Sequence, residues 1–391
     1  MSSAPSPTPK RRWLRRSAQS LGGLLALTIL LAVVDGWKAF GHRAEGARRA
    51  RMEKSVQWKD GAFANPQPLH NEAWGSLAAM FVPSDEKSPG MPVPVVALDP
   101  KQPPPASGLR VTWLGHSSNL IEIDGHRFLT DPVWSQRTSP FERVGPSRWY
   151  DPVVSLEALQ PLDAVVISHD HYDHLDYPTI VKMKDWKTLF IVPLGVAAHL
   201  EYWGVPPDHI VELDWWEPYP LGEFQIVCTP ARHASGRTVW DKDATLWAGY
   251  ALRGPKHRVY YSGDTGLFPA MDEIGAQLGP FDLTMIETGQ YNRAWPDWHI
   301  GPEQAVRAHQ KVKGRVLLPI HWGLFQLASH AWTEPIERAL AAAAQAGVTI
   351  VSPKPGESFE PEAAPKPQRW WPPLKWRTAE EDPIVSTQNG P

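Results

Sequence analysis

Ser168–Asp176 reads SHDHYDHLD, directly after the apolar run DAVVI (Asp163–Ile167). Three histidines and three aspartates fall within nine residues. Alternate side chains on a strand share a face, so at a strand end His169 and His171 reach one metal ion together. The chain then turns, and Asp173 with His174 reaches a second point nearby. Imidazole and carboxylate are the ligands that zinc and similar divalent ions take. A solvated loop with accidental histidines is the alternative, and histidines rarely cluster at this density by accident.

One motif supplies only four ligands, and two ions need more. Three later residues repeat its grammar of apolar strand, then ligand, then small or turn residue. His233 follows GEFQIVCTPAR, Asp264 sits in VYYSGDTG, and His321 sits in VLLPIHWG. Asp264 lies between Gly263 and Gly266, which let backbone and metal approach closely and suit a bridging carboxylate. Singly, each has an ordinary reading as a loop histidine, a turn aspartate or a core histidine. After H-x-H-x-D-H, the set is hard to dismiss. Asp131 in LTDP can orient a ligand histidine through its free N–H, or simply start a turn before Pro132. His116 in WLGHSS and His299 in WHIGPE follow a strand and precede a helix. Each can serve the site, cap a helix or fill a buried hydrogen bond.

Around these residues the chain reads as short strands and a few helices. LRVTWLG alternates, and SNLIEIDGHRFLTDP reads as two strands about the Asp124-Gly125 turn. Further strands are expected at TLFIVP, HIVEL, GEFQIVCTP, TLWAGYALRG, HRVYYSGDT, DLTMIET and RVLLPIHWG. Helices are expected at GPEQAVRAHQKVK and at TEPIERALAAAAQAG, where Pro335 opens the first turn and Gly347 closes the end. A short helix is also expected within LHNEAWGSLAAMFV. The mixture predicts an α/β (α+β) fold of two sheets with helices packed outside.

The 391 residues suit one large catalytic domain with extensions, or two domains. A net charge of −3 argues against a broad nucleic-acid-binding face. Cys228 is the only cysteine, so no intramolecular disulfide forms. Residues 1–16 are a basic n-region containing KRRWLRR, which precedes LGGLLALTILLAVV. That order is the pattern of a secretory signal or signal anchor. Residues 17–35 are read as an uncleaved membrane anchor in preference to a cleaved signal, with the basic flank in the cytoplasm and the catalytic domain exported. Cleavage would instead leave a soluble exported protein, and the basic cluster Arg43 to Lys54 weakens the charge asymmetry. Residues 36–107 form a Pro-rich extension, 108–356 the domain that carries the ligand motifs, and 357–391 a Pro/Trp-rich tail. Within the tail, PKPQRWWPPLKWR is either a strap over the domain or an aromatic-basic membrane contact.

The ordered set His169, His171, Asp173, His174, His233, Asp264 and His321 resembles the metallo-β-lactamase superfamily. Six strings narrow the resemblance to its N-acyl-phosphatidylethanolamine phospholipase D (NAPE-PLD) branch: TWLGHSSNLIEIDGHRFLTDPVWSQRTSPFERVGPSRW, ISHDHYDHLD, TPARHASGR, YYSGDTGLF, WHIGPEQAVRAHQKV and IHWGLFQLASHAWTEP. The resemblance covers residues 108–356. It implies an αββα four-layer sandwich with a dinuclear site at the sheet edge. His169, His171 and His233 would hold one ion, Asp173, His174 and His321 the other, and Asp264 would bridge them. Zn²⁺ is the expected metal, with Mn²⁺ or Fe²⁺ as alternatives the ligands also accept. The implied chemistry is hydrolysis of a phospholipid phosphodiester by a metal-bridging hydroxide, with Asp173 and Asp264 holding or shuttling protons. His299 and His116 are the candidate acids, and the branch implies a substrate phosphate beside His299. It also implies a homodimer, on which the residues themselves are silent. A lactonase or other carboxyl-ester hydrolase is the alternative within the same fold. A nuclease or a non-catalytic metal-binding protein fits less well, since the charge balance opposes the first and the seven ligands the second. A redox di-iron centre is disfavoured because His171 occupies the position that oxygen-reducing relatives fill with Glu.

Overall fold

Alternation builds the first sheet. In β3 (Leu109–Gly115), β4 (Ser118–Ile123), β5 (His126–Thr130) and β6 (Ala164–Val166), Val111, Trp113, Ile121, Ile123, Phe128, Ala164 and Val166 face the central core. Their neighbours Leu114, Leu120, Leu129 and Val165 face an outer core. That period of two is what a strand covered on both sides requires. The computed structural model describes residues 36–70 and 86–386, together with residues 17, 19–24, 27, 28 and 34.

Two seven-stranded sheets pack face to face. The first has the order β16-β3-β4-β5-β6-β7-β8, where β7 is Leu189–Pro193, β8 is Ile210–Leu213 and β16 is Ser358–Phe359. The second has the order β15-β14-β13-β12-β11-β10-β9. Its strands are β9 (Pro218–Leu221), β10 (Phe224–Thr229), β11 (Gly249–Arg253), β12 (Arg258–Tyr261), β13 (Phe281–Glu287), β14 (Gly314–Ile320) and β15 (Thr349–Ile350). Each sheet joins an antiparallel meander to a parallel half. Helices Tyr177–Met183 and Ala197–Tyr202 supply Ile180, Met183 and Leu200 to the outer core of the first sheet. Pro302–Lys311 and Glu334–Ala346 flank the second, and Gly347 ends the latter with φ +66°. The expected αββα layering is therefore present.

The topology decides where the chemistry sits. β3, β5 and β6 run the same way, as do β10, β12, β13 and β14, so their C-terminal ends gather at one edge. At that edge the Tyr250 hydroxyl donates to the Ile167 carbonyl at 3.0 Å, and the Ala248 amide to the Ser168 carbonyl at 2.9 Å. These bonds tie the sheets together beside the histidine-rich loop.

The flanking regions are built into this body. The extension contributes a two-strand ribbon, β1 (Trp58–Lys59) with β2 (Ala62–Phe63), and the helix Gly46–Met52. Arg48 pairs with Glu201 at 2.6 Å and Glu212 at 2.8 Å. The sandwich also continues past residue 356, because β16 pairs with β3. In the tail, Trp371 is 5% exposed and donates to Glu337 at 2.8 Å, while Trp370 stacks on Trp322 at 5.5 Å. Arg369 and Arg377 pair with Glu337 and with Asp382. The tail thus lies over the domain as a strap: the Trp370 and Trp371 rings are spent on the core and Arg369 and Arg377 on carboxylates, while Lys366 and Lys375 stay exposed. Among the described residues no helix is long and apolar enough to cross a membrane. The expected anchor falls largely outside the described residues, as does the short helix expected within LHNEAWGSLAAMFV.

Trp371→Ala leaves a large void beneath the strap. It is expected to cost about 3 kcal/mol, read as a lower urea midpoint at unchanged slope. A wild-type midpoint would mean that the strap carries none of the core's stability.

Candidate metal centre

Each imidazole of the expected set is anchored by one ring nitrogen or by its neighbours, and the free nitrogens converge. His174 places Nδ1 2.6 Å from Asp131 Oδ2, and His233 places Nδ1 2.8 Å from the Trp298 carbonyl. His169 Nδ1 lies 2.9 Å from the Ser168 hydroxyl. Opposite these anchors, His169 Nε2 and His171 Nδ1 stand 2.9 Å apart, and His233 Nε2 and His171 Nδ1 3.3 Å apart. That is the spacing of ligands around one tetrahedral ion with metal–nitrogen bonds of about 2.0–2.1 Å.

A second group forms next to it. Asp173 Oδ2 lies 3.3 Å from both His174 Nε2 and His321 Nε2. Asp264 Oδ2 is 3.1 Å from the same two nitrogens. It also lies 3.9 Å from His169 Nε2 and 3.8 Å from His233 Nε2. One carboxylate oxygen therefore stands between the two groups. Gly263 permits this: its φ is +57°, and a Cβ there would lie 2.6 Å from the Ala248 carbonyl oxygen.

Electrostatics agrees with a cation site. Burial and facing imidazoles hold His169 well below its ordinary value, and burial takes His233 down to about 3. Their lone pairs are therefore open. Burial alone would raise Asp173 and Asp264, but the imidazoles opposite, His174 first among them, hold both well below the usual carboxylate range. His174 is in turn pushed well up, against its burial, by those two carboxylates. The cluster demands positive charge. His174 Nε2 and Asp264 Oδ1 are buried without a hydrogen-bond partner, as groups awaiting an ion would be. The His/Asp clusters fit divalent metal.

Asp131, expected behind one of the histidines, stands against His174. Its Oδ1 accepts the Ser168 amide at 2.7 Å, and its Oδ2 accepts the Ser168 and Tyr261 hydroxyls while facing His174. Asp131, His116 and His321 all hold φ between +33° and +65°, backbone strain concentrated at the site. His116, expected as a candidate acid, is buried, and its Nε2 lies 2.9 Å from Asp173 Oδ2, a place from which it orients that carboxylate. His299 Nδ1 lies 3.8 Å from Asp264 Oδ2, at the open side.

Two acids escaped the sequence reading. Glu287, fully buried at the end of β13, holds His299 Nδ1 at 3.2 Å and accepts the Ile300 amide at 2.7 Å. Burial and the nearby Asp264 push its carboxyl well up. It has the strand-then-ligand grammar that found Asp264, in DLTMIET. Asp170, inside the motif, accepts the Thr245 hydroxyl at 2.9 Å and the Gly236 amide at 2.7 Å, and so fixes the loop carrying His169 and His171.

The family model described as Beta-lactamase superfamily domain matches residues 126–322. An uncharacterised protein of Mycobacterium tuberculosis is 47% identical over 371 residues, covering 92% of this chain and 99% of its own. The N-acyl-phosphatidylethanolamine-hydrolyzing phospholipase D 1 of Caenorhabditis elegans is 36% identical over 291 residues, or 68% of this chain and 81% of its own. The isothiocyanate hydrolase from Delia radicum gut bacteria superposes with a TM-score of 0.51 at 18% identity, over 64% of this chain and 98% of that one.

Asp264→Ala is expected to lose bound metal and activity together, measured by elemental analysis of the purified protein beside turnover. Occupancy retained at two ions would refute the bridging position. Glu287→Ala is expected to lower metal affinity or activity about 10- to 100-fold. Chelator competition reads the affinity directly.

Proposed function

Because the chain belongs to the metallo-β-lactamase superfamily, in its NAPE-PLD-like branch, we propose that this metal-dependent hydrolase cleaves the phosphodiester of an N-acyl-phosphatidylethanolamine or a related amphiphile. The observation that carries the reading is the placement of Asp264 Oδ2 within 3.1–3.9 Å of imidazoles from both clusters. Behind His116 the buried cluster of Val133, Leu324 and Phe325 keeps this edge apolar, with Phe325 5.3 Å from the His116 ring. A charged, imidazole-rich floor that could hold two cations suits a phosphodiester.

His169, His171 and His233 would hold one ion and Asp173, His174 and His321 a second, with Asp264 between. Zn²⁺ is our choice of metal. When bound, such ions lower the pKa of water toward neutrality and neutralise charge on phosphoryl oxygens. The chain's own residues do the rest. Asp131 and the Trp298 carbonyl fix the tautomers of His174 and His233 and aim their Nε2 atoms inward. Glu287 fixes His299 at the open side, where its imidazole can hold a proton for the departing oxygen. His116 keeps Asp173 turned toward His174 and His321. We place the catalytic domain on the exported side of a membrane, behind an anchor at residues 17–35.

A lactone or carboxyl ester would meet the same floor, so the test must separate the bonds. The full chain loaded with Zn²⁺ is given N-acyl-phosphatidylethanolamine in mixed micelles, and products are identified by mass. Phosphatidic acid plus N-acylethanolamine, absent with His171→Ala, is the expected result. No turnover by a chain with confirmed metal would remove the lipid reading and move the choice to the ester.

A further inference from the structure

Large apolar side chains exposed to water gather beside the metal centre. Val239 is 90% exposed and Trp240 72%, at the tip of the loop between Gly236 and Asp243. The tip is held out by design of its base: the buried Asp241 carboxylate accepts the Arg237 and Thr238 amides at 3.0 and 2.7 Å. Trp37, 50% exposed, stands edge-on to Tyr202 at 6.2 Å, and His42 stacks on the same ring at 5.4 Å. The Arg43 guanidinium donates to the Trp240 carbonyl, so residues 37–43 and the loop tip belong to one surface.

We propose that Val239, Trp240 and Trp37 form a wedge that seats the metal centre on a phospholipid bilayer. This rests on the lipid reading above and names the surface that serves it. The occupant is argued from three features. First, the uncharged apolar run Leu21–Val34 ends two residues before Gly36, and the chain then crosses this surface. A segment embedded through that run brings the wedge to the headgroup layer. Second, the exposed cations at the wedge are Lys38, over the Trp37 ring, Arg43, and Lys242, over the Trp298 ring, with Glu45 the acid on the same stretch. Tryptophan mixed with Lys and Arg is the composition of a membrane interface, and cations suit its phosphates. Third, the surface leads into the site. The Trp298 carbonyl holds His233, and His299 follows in sequence. A lipid lifted a short way out of the layer meets the metal clusters directly.

The test uses the full chain in lipid nanodiscs of phosphatidylethanolamine and phosphatidylglycerol. Cys228 is buried, so Val239→Cys gives one reactive site for an environment-sensitive fluorophore. Lys256→Cys, in the turn at the opposite end of the sandwich, is the control. The expected result is blue-shifted emission at position 239, quenched by spin-labelled lipid, with position 256 unchanged. A probe at 239 that stays in water overturns the proposal. So does one equally shielded after reconstitution in an amphiphile-free buffer, with neither detergent nor bilayer, which would indicate a protein partner or second copy. In a second arm, Val239→Asp with Trp240→Asp is expected to raise KM for lipid in bilayers about tenfold, leaving kcat and the hydrolysis of detergent-dispersed lipid unchanged. Equal losses in both formats, or none, count against the wedge. Quenching at 239 without turnover of N-acyl-phosphatidylethanolamine by wild type would leave the docking standing and remove only the substrate.

Discussion

Asp264 Oδ2 faces His174 and His321 at 3.1 Å and His233 and His169 at 3.8 and 3.9 Å, in the buried edge between two sheets. Four imidazoles and a second carboxylate cannot share that space on their own. The repulsion of lone pairs and the desolvation of charge are what a bound cation would relieve. The fold is arranged to supply this tension and contain it. Parallel strands from both sheets deliver the candidate ligands to one edge, Tyr250 and Ala248 clamp the sheets there, and Asp131 and Glu287 hold His174 and His299 from behind.

Much of this was legible in the sequence, because ligands repeat a local rule. His169, His171, Asp173, His174, His233, Asp264 and His321 each follow an apolar strand, and the structure brings all seven together. Strand β3 runs Leu109–Gly115, the limits its alternation predicts, and Asp124-Gly125 turns between β4 and β5 with positive φ at both residues. What failed to show has physical causes. β9 contains Pro218 and Pro220, which read as loop; it survives because an edge strand needs only one side of its hydrogen bonds. β16 is two residues long and carries no periodicity. Glu287 follows the ligand rule but was read as the end of an ordinary strand. The behaviour of His116 could not be foreseen, because its partner Asp173 is 57 residues away.

The regions outside the expected domain have structural work to do. Arg232, next to a ligand histidine, pairs with Asp297 at 2.9 Å and donates to the Pro68 carbonyl and the Ser386 hydroxyl. One buried guanidinium thus gathers the extension, the tail and the loop before His299. Arg237 does the same for Ala39, Asp170 and Leu175 through their carbonyls. Proline-rich chain that looked like linker is, in these stretches, part of the wall of the site.

The pairing of Phe359 with Val111 has a consequence for synthesis. The strand that completes the first sheet is made long after β3, so a nascent chain carries β3 with one bare edge until Ser358–Phe359 emerges. Closing so long a loop is slow, and an unpaired edge is a template for neighbouring chains meanwhile. A ribosome or holding chaperone that shields Leu109–Gly115 until the strap arrives would decide yield more than any stability of the finished protein.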